Sequence, residues 1–226
     1  GGYAAAFYAA DLGMKVTLID KELNPGGVCL YRGCIPSKAL LHVSKLLSEA
    51  NEATNWGIDF GKPKIDLDKL RSYKESVVNK LTSGTGQLRK QRKIEYIQGT
   101  AKYTGSNSLA VDKADGTSEN IEFKKSILAT GTIPSTIPGV PKSSKIWDST
   151  DALNLELIPK NLLVIGGGYI GLELGSVYAS LGTKVTVVEM TGGLLPGADR
   201  DMVRVLQRNL DNKFESILVN TKVSSV

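Results

Sequence analysis

The chain has 226 residues, enough for one large or two modest domains, and its 41% apolar and 23% charged residues are typical of a globular protein. No apolar run approaches the roughly 20 residues that a membrane helix needs, so no membrane association is expected. The net charge is +5, and the densest basic run, residues 89–93, has no interleaved aromatic residue. This favours a solvated helix end over a nucleic-acid site.

The first elements form one half of an internal repeat. Gly1 and Gly2 are followed by a helical stretch, a break at Gly13 and a strand that ends at Asp20. The offset that maps Gly2 onto Gly171 also maps Asp20 onto an acid, Glu189. Under this offset, two glycines and a strand of the first copy would precede residue 1. We therefore expect that the chain is cut at its amino end.

Both cysteines of the chain, Cys29 and Cys34, lie in the next segment, with four residues between them. A helix is predicted to start at Cys34, with Pro36 at its first helical position. The positive end of a helix dipole favours a thiolate, so the pair is a candidate dithiol/disulfide couple. A purely structural disulfide, or two buried apolar cysteines, is the alternative.

The helix after Cys34 contains two further polar residues of interest. Lys38 follows within the first turn, where a cation opposes the helix dipole, so an acidic partner is expected. His42, the only histidine, lies two turns after Cys34. A packed or partly exposed helical role is favoured for it over that of a catalytic base.

The middle of the chain contains a connection, a helix and a set of short strands. Ser48 to Lys64 is polar and predicts a connection, and Asp66 to Leu88 predicts a helix that Gly84 and Gly86 interrupt. From Ile94 to Phe123 the apolar residues alternate, with a turn signal at residues 115–116. This pattern predicts a β-meander inserted late in the first domain.

Ile127-Leu128-Ala129-Thr130-Gly131 is predicted to be an apolar strand that ends in small residues. Small residues there would allow close approach of a ligand to the backbone, although a simple tight turn is the alternative. A Pro-x3-Pro-Gly linker at residues 134–139 follows and leads towards the second domain.

The second copy of the repeat is complete at its start. Leu162–Ile165 predicts a buried strand, and a GxGxxG pattern, a helix over 172–181, a strand over 185–188 and Glu189 follow. In this context the pattern is typical of a dinucleotide-binding βαβ unit. Glu189 would accept hydrogen bonds from a ribose 2′-hydroxyl and repel a 2′-phosphate, which favours NAD over NADP. The alternative is a tight glycine-rich turn without a ligand.

Several of these motifs resemble one family along the whole chain. Gly26 to Leu41 resembles the redox-active disulfide motif of the flavin disulfide reductases, and within them of the dihydrolipoamide dehydrogenases. Gly1-Gly2-Tyr3 resembles the end of the family's FAD fingerprint. Ala129-Thr130-Gly131 resembles its motif beside FAD, and Gly168 to Glu173 resembles its Gly-Tyr-Ile-Gly-Leu-Glu motif.

The resemblance implies a role for each catalytic residue. Cys29 would exchange with the disulfide substrate, Cys34 would contact the flavin, and Lys38 would lie near the reactive edge of the flavin ring. Glu173 would pair with Lys38, although an acid at the start of a helix is also favourable by itself. No position matches the family's histidine–glutamate base, so no turnover is expected from these residues alone.

The resemblance further implies FAD and NAD as cofactors, and no metal site is predicted. The FAD site is expected to include Gly1, Gly2, Asp20, Gly27, Val28, Cys29, Lys38, Ala129, Thr130 and Gly131. The NAD site is expected to include Gly166, Gly168, Tyr169, Ile170, Gly171 and Glu189. Asp20 could otherwise be an ordinary acid at the end of a strand.

The implied fold is α/β, with two Rossmann-like FAD/NAD(P)-binding domains, both incomplete, over residues 1–155 and 156–226. The implied activity is NAD-dependent oxidation of protein-bound dihydrolipoamide. The implied partners are lipoyl domains of 2-oxoacid dehydrogenase or related complexes, and a second copy in a homodimer. Two cysteines at redox spacing fit a reducing, cytoplasmic compartment. A mercuric or glutathione reductase-like enzyme, or a non-catalytic nucleotide-binding or thiol-sensing module, is the alternative.

Overall fold

The computed structural model describes residues 1–225, which form seven α-helices, one 3₁₀ turn and seven strands. In chain order the elements are α1 Gly2–Asp11, β1 Thr17–Asp20, α2 Gly27–Arg32, α3 Cys34–Glu52, the 3₁₀ turn Ala53–Trp56, α4 Leu67–Gln91, β2 Glu95–Gly105, β3 Ser108–Lys113, β4 Ser118–Glu122, α5 Ser149–Asn154, β5 Asn161–Ile165, α6 Tyr169–Ser180, β6 Lys184–Val188, α7 Arg200–Asp211 and β7 Ser216–Leu218. No helix among residues 1–225 is long and apolar enough to cross a bilayer.

The chain divides into two compact units. The first contains Gly1–Tyr31 and Ser76–Ile133, and the second contains Arg32–Glu75 and Pro134–Val226. Compact units of this kind are not the same as nucleotide-binding domains, so the limits 1–155 and 156–226 stay a prediction.

The first unit is built on a four-stranded sheet in the order β1-β2-β3-β4. β1 runs parallel to β2, and the β2, β3 and β4 strands are antiparallel. Ile97, Leu109 and Val111 form its buried core, because alternate residues of each strand point to the same face. The predicted β-meander is confirmed.

The part of α4 in this unit corrects one prediction. Gly84 and Gly86 lie inside the continuous helix Leu67–Gln91 and do not interrupt it. A Cβ atom on Gly86 would overlap the Asn24 side chain, whereas one on Gly84 would meet open space. Gly86 therefore permits a close tertiary approach instead of marking a helix end.

The prediction of a strand at residues 127–131 is wrong. The segment has no regular secondary structure, and the side chains of Ile127 and Leu128 are both 72% exposed. A strand exists only through ladder hydrogen bonds to a neighbour, and no strand among residues 1–225 pairs with this segment.

The second unit contains a parallel sheet in the order β5-β6-β7, with α6 connecting β5 to β6. Val185 and Val187 of β6 are fully buried beneath α6, and Tyr178 and Val177 of α6 belong to the same core. α3 packs on α6, and its Leu40 joins this core. This is the βαβ arrangement that the second copy of the repeat predicts.

The prediction that the first strand of this unit is buried is wrong. Leu163 and Ile165 of β5 are 53% and 42% exposed, and only Leu162 and Val164, on the other face, pack against the core. β5 is an edge strand of its sheet, and among residues 1–225 only one of its faces is covered.

The length of α3 corrects another prediction. The helix continues to Glu52, whereas a connection was predicted from Ser48. Glu49, Ala50 and Glu52 in this last turn are helix formers, and the Lys45–Glu49 ion pair, with 3.5 Å between Nζ and Oε1, links two successive turns of the helix. Polarity alone therefore did not mark the end of the helix.

Candidate functional site

The two cysteines occupy successive helices. Cys29 lies in the short helix α2, and Cys34 is the first residue of α3. Both side chains are exposed, and no disulfide occurs among residues 1–225. The predicted helix start at Cys34 is confirmed, and its thiol lies at the positive end of the helix dipole.

Local hydrogen bonds fix the start of α3. The Ser37 N–H donates to the Gly33 carbonyl at 3.1 Å, and the Ser37 hydroxyl donates to the Cys34 carbonyl at 3.1 Å. Pro36 was predicted to be the first residue of this helix, but it is the third, because α3 begins at Cys34. The position is still tolerated, because the first four N–H groups of a helix have no intrahelical partner.

Lys38 of α3 forms an ion pair with Glu173 of α6. The Lys38 Nζ to Glu173 Oε1 distance is 2.5 Å, and the two side chains are 59% and 33% exposed. The predicted contact is confirmed. Glu173 is the fifth residue of α6 and lies beyond its first turn, so the helix dipole alone does not explain an acid there. An exposed pair of this kind contributes about 0–1 kcal/mol to stability.

The glycine-rich loop between β5 and α6 has the shape of an anion cradle. Gly166 has a φ of +103°, and Gly168 is the N-cap of α6, which begins at Tyr169, three residues before the predicted helix start. A Cβ on Gly171 would lie 2.7 Å from the Gly166 carbonyl oxygen, whereas one on Gly168 would meet open space. Within the described residues 1–225, no side-chain hydrogen bond caps the start of α6. The first-turn N–H groups of α6 fit a dinucleotide pyrophosphate, which binds at such a helix N-terminus.

Glu189 follows β6 and is almost fully buried, with 7% of its surface exposed. Its carboxylate accepts three hydrogen bonds of 2.7 Å, from the Gly167 N–H, the Thr191 N–H and the Thr191 hydroxyl. The bonds from Thr191, followed by the one from Gly167, hold the pKa of Glu189 below its usual value. A carboxylate offers about four acceptor positions, so these three bonds use most of its capacity.

Thr191 is a residue that sequence reasoning missed. Its hydroxyl donates to Glu189 and lies 3.0 Å from the Gly193 carbonyl oxygen. The available signal was the acid-x-Thr spacing, because a side chain that accepts from the backbone two residues later is a common turn device. The turn keeps the Glu189 carboxylate aimed at the glycine loop.

In the first unit, the expected FAD residues fall into two small groups. A Cβ on Gly2 would lie 3.3 Å from Ala129 Cβ, and one on Gly131 would lie 3.9 Å from a methyl group of Val28. Gly1 is the uncapped N-cap of α1. These contacts bring the start of α1 beside residue 129, and α2 beside residue 131.

The remaining predicted residues take simple positions. Asp20 ends β1, and its carboxylate accepts from the Glu22 N–H at 3.1 Å. Gly27 begins α2 with a φ of +65°. His42 is exposed on α3. No group of three or more potential metal ligands occurs among residues 1–225.

Comparisons with known proteins agree with this geometry. The sequence profile described as pyridine nucleotide-disulphide oxidoreductase matches residues 1–226. The chain is 48% identical to a dihydrolipoyl dehydrogenase from Vibrio cholerae, and 43% identical to a mitochondrial dihydrolipoyl dehydrogenase from Dictyostelium discoideum. Each alignment covers 100% of the chain and 47% of the relative. The chain thus spans about half the length of these relatives.

Solved structures give the same result. LpdA from Mycobacterium tuberculosis matches with a TM-score of 0.88 and 26% identity, over 100% of this chain and 50% of that chain. The HOCl-induced flavoprotein disulfide reductase RclA from Escherichia coli matches with a TM-score of 0.80 and 30% identity, over 99% of this chain and 47% of that chain. The fold is thus the α/β fold of flavin-dependent disulfide oxidoreductases. The chain belongs to the pyridine nucleotide-disulphide oxidoreductase family.

Proposed function

We propose that the chain is part of a dihydrolipoyl dehydrogenase, which oxidises protein-bound dihydrolipoamide with NAD⁺ through a cysteine pair and FAD. The observation that carries the proposal is the Lys38–Glu173 ion pair. It joins the helix that starts at Cys34 to the helix that starts at the glycine loop. Relatives with 42–48% identity that are named dihydrolipoyl dehydrogenase support the choice of substrate.

The cysteines would perform thiol–disulfide exchange. A substrate thiolate attacks the Cys29 sulfur of a Cys29–Cys34 disulfide, so a substrate–Cys29 bond forms and the Cys29–Cys34 bond breaks. The second substrate thiolate then displaces Cys29 and forms the cyclic disulfide of the product. The substrate loses two electrons and the cysteine pair gains two. We do not assign a base for the thiol protons to any residue of this chain, because its only histidine, His42, is exposed on α3.

Two nucleotide sites would complete the path of the electrons. When bound, FAD would take electrons from the reduced cysteine pair, and NAD⁺ would take them from the flavin. We assign FAD to Gly1, Gly2, Asp20, residues 27–29, Lys38 and residues 129–131. We assign NAD to residues 166–171 and Glu189. Lys38 would hold a positive charge near the flavin, and Glu173 would keep its ammonium group in place.

The spectrum of the full-length, FAD-loaded protein tests the cysteine roles. After anaerobic reduction by two electrons, the wild type should absorb at long wavelength, because the Cys34 thiolate contacts oxidised flavin. Cys34→Ser should remove this band. Cys29→Ser should keep a thiolate at residue 34 but abolish dihydrolipoamide oxidation. A non-catalytic nucleotide-binding or thiol-sensing module would fail to load with FAD, and the long-wavelength band would be absent from the wild type as well.

Turnover tests the role of the ion pair. Lys38→Met and Glu173→Gln should each lower kcat clearly while changing stability by only about 0–1 kcal/mol, because the pair is exposed. Lys45→Met and Glu49→Gln provide the matched control, an exposed ion pair on the same helix. Equal effects of the two sets of variants would contradict the proposal.

Nucleotide choice distinguishes the related enzymes. The ionised Glu189 should disfavour the 2′-phosphate, so turnover with NADH should exceed turnover with NADPH. The reverse preference would favour a glutathione reductase-like enzyme. Turnover of mercuric ion instead of lipoamide would favour a mercuric reductase.

We propose that lipoyl domains of 2-oxoacid dehydrogenase or related complexes supply the substrate, and that the full-length enzyme is a cytoplasmic homodimer. Light scattering should give twice the mass of one chain. A lipoylated domain should be a better substrate than free dihydrolipoamide.

A further inference from the structure

Arg200 occupies an unexpected position. It is the first residue of α7, directly after the N-cap Asp199, whose side chain accepts from the Asp201 N–H. A cation at the first helical position opposes the helix dipole. Its presence there calls for another interaction of its side chain.

The Arg200 guanidinium turns back onto the preceding loop. Its Nη2 donates to the carbonyl oxygens of Leu194 at 2.9 Å, Leu195 at 2.5 Å and Ala198 at 3.0 Å, and its Nε donates to Ala198 at 3.2 Å. Leu195 has a φ of +48°, a left-handed conformation that is unfavourable for a residue with a Cβ atom. The hydrogen bonds of Arg200 therefore hold a loop that its own backbone does not favour.

This loop in turn fixes Gly167 of the glycine-rich loop. The Leu195 N–H donates to the Gly167 carbonyl at 2.9 Å. Leu194 is fully buried, and a Cβ on Gly167 would lie 2.5 Å from its Cδ2. The Gly167 N–H is held from the other side by Glu189. Both polar backbone groups of Gly167 are thus immobilised.

We propose that Arg200 is a positioning residue for dinucleotide binding. It holds residues 194–198, which hold Gly167, and Gly167 sets the direction of the N–H groups at the start of α6. This inference rests on the proposed binding of NAD at residues 166–171. Arg200 acts through the loop and needs no contact with the nucleotide.

The test is NADH binding to the full-length, FAD-loaded protein, measured by fluorescence titration. Arg200→Met should raise the Kd for NADH about five- to tenfold, which corresponds to about 1.0–1.4 kcal/mol. The KM for NAD⁺ should rise with it, whereas kcat should stay within about twofold, because uniform binding is lost. Arg200→Lys keeps the charge and some donors and should restore part of the affinity. Arg204→Met, an exposed arginine on the same helix paired with Asp201, should leave binding unchanged.

A second measurement separates positioning from general destabilisation. Amide hydrogen exchange at residues 167–171 should be faster in Arg200→Met and Arg200→Lys, with the β-meander unchanged. If Arg200→Met does not fold, Arg200→Lys decides by the same two measurements. Wild-type affinity and exchange in the folded Arg200 variants would overturn the inference. Absence of NADH binding by the wild type would instead overturn the proposed function.

Discussion

Replacement of Glu189 by glutamine tests the buried carboxylate most directly. The three hydrogen bonds to Glu189 come from two backbone N–H groups and one hydroxyl, and all measure 2.7 Å. Glutamine has one oxygen acceptor and one NH₂ donor. Whichever way the amide turns, its NH₂ group faces a backbone N–H, either that of Gly167 or that of Thr191.

The magnitude follows from that single unmet group. A buried N–H without an acceptor costs about 1–3 kcal/mol, and bonds to a charged acceptor are at the upper end of the range. Removing a buried charge offsets part of this loss. We expect Glu189→Gln to lower the free energy of unfolding by about 1–2 kcal/mol at pH 7.

The assay is urea unfolding of the full-length protein at several pH values, followed by circular dichroism. Glu215→Gln is the matched control, because Glu215 is exposed and its Oε1 lies 3.4 Å from Lys184 Nζ. It should change the free energy of unfolding by less than about 1 kcal/mol.

The pH dependence has a defined sign. Because the folded-state pKa of Glu189 lies below the unfolded value of 4.5, its stabilising effect is fully present above about pH 4.5. The effect is lost as the pH falls through the folded-state pKa, where the wild-type side chain is also neutral. Equal stability of Glu189→Gln and Glu215→Gln at pH 7, or a difference that grows in acid, would refute the reasoning.

Three further substitutions test the contacts of α4. Gly84→Ala should stabilise the protein by up to about 1 kcal/mol through helix propensity, whereas Gly86→Ala should destabilise it by about 1 kcal/mol or more, because its Cβ overlaps Asn24. In thermal unfolding, Gly84→Ala should have a higher Tm than the wild type and Gly86→Ala a lower one. Tm shifts of both variants in the same direction would contradict this prediction. Lys74 is buried and donates to the Leu153 carbonyl at 2.7 Å, so Lys74→Met should cost about 1–3 kcal/mol in urea unfolding. An unchanged urea midpoint would show that solvent reaches this carbonyl.

Local patterns predicted the elements whose causes are local. The βαβ unit of the second copy follows from an apolar run, glycine spacing and an acid at the end of a strand. The β-meander follows from alternation of apolar residues. Each of these signals lies within about 30 residues and reflects backbone geometry or burial of one face.

Errors arose where a distant neighbour decided the outcome. Gly84 and Gly86 resemble helix breakers in sequence, yet the helix continues, and the Asn24 side chain fills the space beside Gly86. The apolar run at residues 127–131 has strand composition, but no strand among the described residues pairs with it. Neither the approach of Asn24 to Gly86 nor the absence of a partner strand can be derived from residues that are adjacent in the chain.

In the candidate site, too, some features have local causes and others depend on residues that are distant in the chain. The sequence by itself determined the residue types: two cysteines at redox spacing, a cation after them, a glycine-rich loop and an acid after the strand. Only the tertiary structure decided that the Gly167 N–H donates to Glu189 and that Arg200 holds the loop beside Gly167. The physical reason is range: spacing and composition fix backbone geometry over one turn or strand, whereas these hydrogen bonds depend on where separate elements pack.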